Sequence, residues 1–185
     1  IPDEDDELLP IVNTVDDSDD FVPPKHRKDD DMPSIYDMPQ SLKTAIKCFI
    51  MTCAIRAARG QEKKHNSMLI HITRFQSWQN HIKDIVEQQF RYYKSEIEAN
   101  ESFGKIDSQI RLHTWEEVKP FLYPAVQKIE VKSINGSSGD SLTYYENEKN
   151  GISVIAIGGD KLSRGLTLEG LSVSYFLRAS KMYDT

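Results

Sequence analysis

Two short apolar runs near the end of the chain, Ile152 to Ile157 and Leu171 to Leu177, constrain its fold most strongly. Each has the length and β-rich composition of a buried strand. The first empties into Gly158-Gly159, and a polar stretch with Lys161, Ser163, Arg164 and Gly165 separates it from the second. Strand, glycine turn, basic loop, strand is how α/β proteins build sites at the carboxyl ends of parallel strands. Glycine lets backbone approach a ligand closely, and free amides beside Lys and Arg suit a phosphate. The chemistry points to a nucleotide or nucleic acid.

Upstream, the spacing predicts a helix over Pro39–Arg59, where Leu42, Ala45, Ile46, Phe49, Ile50, Cys53 and Ala54 recur at three- and four-residue intervals. Gly60 is a natural stop. The run Met68, Leu69, Ile70, Ile72 predicts a buried strand in SMLIHITRF. Trp78, Ile82, Ile85, Val86 and Phe90 mark a long helix reaching about Glu98, and NESFGK is a break. A third helix is expected over Ser108–Leu122, with Ile110, Trp115, Val118 and Leu122 inward and Pro120 kinking or shortening it. Ile129–Ile134 reads as a strand ended by Asn135-Gly136, and a short helix is expected around Leu142–Glu148. Helices alternating with short strands predict an α/β fold with a mainly parallel sheet.

Charge divides the chain. Positions 1–37 hold 13 acidic residues against Lys25, Arg27 and Lys28, leaving 16 of the 29 acidic and 20 of the 23 basic residues to positions 38–185. An acidic lead-in of this kind tends to be disordered or to lie as an extended arm, with LLPIV and FVPP able to pack locally. The mildly basic body suits a polyanionic partner or an ordinary solvated surface. The domains read from this are an acidic lead-in over 1–37 and a folded body over 38–185. The chain starts with Ile, as expected of a piece of a longer protein. No apolar stretch approaches the ~20 residues of a membrane span, so a cytoplasmic location is expected. Cys48 and Cys53, five apart on one helix, are expected to be buried reduced thiols, and His65 and His71 complete no zinc pattern with them. Trp78 and Trp115 are read as core, and Tyr92 and Tyr93 as helix surface.

Four segments come in the order of the second RecA-like lobe of a superfamily-two helicase or translocase: SMLIHITRF ending in Thr73-Arg74, VKSINGSS with Asn135-Gly136, VIAIGGDKLSRGLTLEGL with its Ser-Arg-Gly core, and VSYFLRASKMYDT. More closely, GGDKLSRGLTLEGLSVSYFLR, with SLKTAIKCFI and HNSMLIHITR upstream, resembles the Z1 (Z-one) domain family. Its members are described as endonucleases or helicase-like components of bacterial restriction and phage-defence systems. The resemblance spans about residues 39–185. It implies a RecA-like, P-loop NTPase-like second helicase lobe with a mainly parallel sheet, a helical elaboration and an acidic N-terminal arm.

The resemblance also implies roles. Thr73 and Arg74 match the fourth helicase motif, and Ser163, Arg164 and Gly165 the fifth. With Asn135, Gly136 and Lys161 they are expected to hold a nucleic-acid backbone, DNA rather than RNA. Gly158, Gly159, Asp160, Thr167 and Glu169 are expected at the nucleotide and interlobe side. Thr167 stands where many such helicases carry Asp, and the chain ends at Thr185, before the sixth motif. No Gly-x-x-x-x-Gly-Lys-[Ser/Thr] loop is present. The isolated chain is therefore expected to be inactive and without cofactor, with no catalytic or metal residue. ATP and Mg²⁺ would act in the intact parent, whose first lobe is the expected partner beside other defence subunits.

Two other readings carry different chemistry. One is a non-catalytic interaction domain whose acidic arm masks a basic face. The other is a Mg²⁺-dependent nuclease using Glu130 and Lys132 on one strand with Asp107 upstream, since carboxylates hold the metal while Lys assists water.

Overall fold

A computed structural model of the chain describes residues 12–99, 113–134, 142–159 and 167–177. Helix α1 (Gln40–Ala58) precedes strand β1 (Asn66–His71), α2 (Gln76–Glu98), α3 (Trp115–Lys128), β2 (Ile129–Ile134), β3 (Ser153–Gly158) and β4 (Leu171–Phe176). The apolar spacing of α1 does what it promises: Leu42, Ile46, Phe49, Ile50, Cys53 and Ala54 are buried, and Ala45 packs against them. The short helix expected near Leu142–Glu148 is a single 3-10 turn over Tyr145–Asn147.

The third helix departs from expectation. Thr114 begins it with a capping box: its hydroxyl accepts from the Glu117 amide, while the Glu117 carboxylate accepts from the Thr114 amide at 2.8 Å. The helix therefore starts at Trp115 and runs through Pro120 and Pro124 to Lys128. Val118 and Leu122 face inward as predicted, but Trp115, at the rim, is 43% exposed. Ile110 lies outside the described residues.

Among the described residues four strands form a parallel sheet, in the order β2-β3-β1-β4. Alternation along each strand sends successive side chains to opposite faces. Met68, Ile70, Ile155, Ile157, Ile129 and Tyr175 meet the buried sides of α1, α2 and α3 in the larger core. Val154, Ala156 and Ile134 face the other way and are covered by Leu142 and Tyr144, with Leu69, Ile152 and Leu168 at the margin. This α/β arrangement is compatible with a RecA-like core.

The acidic lead-in is an arm docked along the body. Phe21 and Val22, from the FVPP segment, are buried in the main core. The Asp17 carboxylate accepts hydrogen bonds from the Ser41 amide and hydroxyl in the first turn of α1, and the Ser41 hydroxyl also meets the Tyr175 hydroxyl at 2.7 Å. The His81 ring donates to the Pro33 carbonyl at 2.6 Å. LLPIV falls almost entirely outside the described residues.

Asp17 has a titration consequence. Desolvation works against its carboxylate, but the hydrogen bonds from Ser41 outweigh it and hold the carboxyl below its ordinary value. A lowered folded value contributes stability above the unfolded pKa of about 3.9 and loses it as pH falls through the folded one. Asp17→Ala should therefore cost about 1 kcal/mol at neutral pH, the size of a lost cap. Urea midpoints of both proteins should converge below about pH 4; a constant gap across pH would contradict the assignment.

Candidate functional site

The order of strands sets a topological switch point, the place where open α/β sheets form a crevice. From the carboxyl end of β1 the chain leaves toward β2, and from the adjacent carboxyl end of β3 it leaves toward β4 on the opposite side. Where neighbouring strands send their connections apart, open α/β sheets bind ligands. Thr73 and Arg74 follow β1 at this point, and Gly158 and Gly159 end β3.

Gly159 lies hard against the β1 side. A Cβ on it would sit 2.5 Å from Gln79 Nε2 and 2.7 Å from the Thr73 carbonyl oxygen, so only glycine allows this approach. Gln79, from the first turn of α2 and 3% exposed, donates to that carbonyl at 3.0 Å. Its Oε1 has no hydrogen-bond partner among the described residues. The ends of β1 and β3 are thus packed closely, with Gln79 beside both.

Thr73 is not presented to solvent as expected. It is buried, and its hydroxyl accepts from the Phe75 amide at 3.2 Å and meets His26 Nε2 at 2.7 Å. His26 Nδ1 lies 2.8 Å from the Pro23 carbonyl, which can only accept, so Nδ1 donates there. The His26 ring packs 4.5 Å from Trp78 and 5.5 Å, edge-on, from Phe75. Arg74 remains exposed, with its guanidinium 5.0 Å from the Phe75 ring centroid.

Thr167 and Glu169 are not brought together with Gly158 and Gly159. They precede β4, and because β4 runs parallel to β3 they lie at the amino end of the sheet. There the Glu169 carbonyl accepts from the Ser67 hydroxyl at 2.7 Å, and its carboxylate lies 3.8 Å from His65 Nε2. Asp160, Lys161, Ser163, Arg164, Gly165, Asn135 and Gly136 lie outside the described residues. The last residue of β2, Ile134, pairs with Gly158, so β2 ends on the crevice edge.

Of the nuclease constellation, Glu130 and Lys132 are among the described residues. Glu130 and Lys132 share one side of edge strand β2 and pair with each other at 2.8 Å, while Asp107 lies outside the described residues. Among the described residues no group of three His, Cys, Asp or Glu could hold a metal ion. The sequence has no phosphate-binding glycine loop either, and the described residues assemble no Mg²⁺–ATP site. Cys53 is buried with its thiol pushed up to about 12 by desolvation, and Cys48 is half-buried; both are free. Tyr92 is exposed but Tyr93 is buried, and Trp78 is core as read from its helical face. No described helix is long and apolar enough to cross a membrane.

Several residues at the crevice edge had no signal in the sequence pattern. His26 belongs to the acidic arm, Gln79 sits on the buried side of a polar helix turn, and His71 and Phe176 stack at 4.4 Å with planes 9° apart.

The fold defines an open α/β domain built on a parallel sheet. The chain belongs to the Z1 domain family, whose family model matches residues 41–185. No curated protein and no solved structure gives a match.

Proposed function

We propose that this domain is the second RecA-like lobe of an ATP-dependent nucleic-acid translocase, helicase or endonuclease of a bacterial restriction or phage-defence system. Its carboxyl-edge loops grip one strand of the backbone, DNA in preference to RNA, and couple to a first lobe elsewhere in the cytoplasmic parent. ATP and Mg²⁺ act in that first lobe. The observation that carries the reading is the contact of Gly159 with Thr73 and Arg74, which joins the two motif-bearing strand ends at the topological switch point. Among the described residues Arg74 is an exposed cation at that edge and suits a phosphate with its bidentate fork.

The test is binding of labelled single-stranded DNA across a salt series. The logarithm of affinity should fall linearly with that of salt, and each lost phosphate contact should flatten the slope by ~0.7. Arg74→Ala should remove about one such contact, and Lys161→Ala/Arg164→Ala about two. Slopes equal to wild type in both variants would remove the backbone-gripping role.

The His26–Thr73 hydrogen bond favours a second reading, in which the arm is a lid over the crevice. On that reading His26→Ala frees the Thr73 hydroxyl and tightens binding several-fold in the same assay. Unchanged affinity makes the arm a structural brace.

A further inference from the structure

Phe176 is an odd residue to leave in solvent. It is 51% exposed, and it ends β4 on the same edge as the crevice. One side of its ring is backed by the His71 imidazole at 4.4 Å, nearly parallel, and His71 is itself buried. The backbone reinforces the pair, since the Leu177 amide donates to the His71 carbonyl at 3.2 Å. An aromatic ring fixed by a buried neighbour has little rotamer freedom left to lose on binding.

The surroundings argue against a protein layer as its natural cover. The residues of β4 that share its face are Ser172 and Ser174, both exposed. A strip reading Ser, Ser, Phe offers one flat apolar surface in a polar strand, whereas sheet faces that receive helices are near-continuously apolar. A planar partner with polar edges fits better. His71 pairs with Gly158 on one side and Phe176 on the other, so Phe176 lies two strands, about 10 Å, from the end of β3. A nucleotide neighbouring one whose phosphate lies in the crevice reaches that far.

We propose that Phe176 is a stacking platform for one base of a single nucleic-acid strand. The inference rests on the nucleic-acid reading above and adds to it a contact with the base, where Arg74 meets only the backbone. Aromatic platforms bind every base because every base has a π-face, so the contact adds affinity without reading sequence.

The test uses the full chain with two fluorescein-labelled oligonucleotides of equal length, oligothymidylate and the same strand made of abasic sites. Phe176→Leu should weaken oligothymidylate binding roughly tenfold. The slope against salt should not change, because no phosphate contact is lost. Phe176→Tyr should bind as wild type, and the abasic strand should bind wild type and Phe176→Leu equally. If Phe176→Leu binds oligothymidylate as tightly as wild type, or loses affinity equally for both strands, the platform is overturned while the backbone reading stands. If wild type binds neither strand at low salt, the nucleic-acid reading fails and takes this inference with it.

Discussion

Gly170→Ala should lower stability by about 3 kcal/mol, combining left-handed backbone strain with overpacking. Gly170 has φ +66°, and a Cβ there would run into the backbone carbonyl of His65. That carbonyl cannot swing aside, because Arg56 Nη1 holds it at 2.9 Å and bonds Asn66 Oδ1 as well. The Gly170 carbonyl in turn accepts from the Ser67 amide at 3.0 Å, where β4 begins to pair with β1. Gly60 provides the control. Its φ is +73°, yet no described residue lies within 4 Å of an added Cβ. Gly60→Ala should therefore show the strain alone, about 1 kcal/mol. Urea unfolding of the two variants separates the effects, and equal losses would mean that the His65 backbone yields freely.

Phe21→Ala should cost about 3–5 kcal/mol, the loss expected of a core aromatic. The segment around it, with Asp16, Asp17, Asp19, Asp20 and Asp29 to Asp31, has the composition of a solvated tail. Yet Phe21 is 0% exposed and packs in the same cluster as Phe49 and Trp78. Tyr36→Ala, at a residue 92% exposed in the same arm, should fall within about 0.5 kcal/mol of wild type. Urea midpoints decide it, provided the slope is unchanged; a small loss at Phe21 would mean that the arm detaches readily. The same burial governs experiments on masking. Removing residues 1–37 would strip the core as well as uncover the crevice, so His26→Ala is the cleaner way to unlatch it.

How much of this could be read from residues alone depends on the range of the interaction. Strand β2 falls on Ile129–Ile134 as read, and α1 lies within one residue of its predicted bounds, because apolar period and flanking Gly or Asn are local signals. Trp115 came out wrong for a local reason as well: the capping box at Thr114 starts the helix there and leaves the ring at its rim. The candidate site needed information of longer range. Thr73 and Arg74 follow β1 as read, but that Thr73 is held by a histidine 47 residues earlier follows from no periodicity. Thr167 and Glu169 looked adjacent to Gly159, yet a crossover between parallel strands must return to the opposite end of the sheet, which separates them by the length of a strand.

The strand order also dictates when the molecule can come together. β1 lies between β3 and β4, so Asn66 waits for Ser153 and Ser67 for Leu171. A ribosome making this chain extrudes its central strand first and supplies both partners last. During that interval β1 has two bare hydrogen-bonding edges and an apolar sequence, the combination that invites pairing with other chains. The early helix α1, whose Ala45, Ile46 and Phe49 side packs in the same core as Met68 and Ile70, is the cover at hand. Synthesis order thus makes α1 a nursemaid to the strand that follows it, well before it becomes one layer of the finished domain.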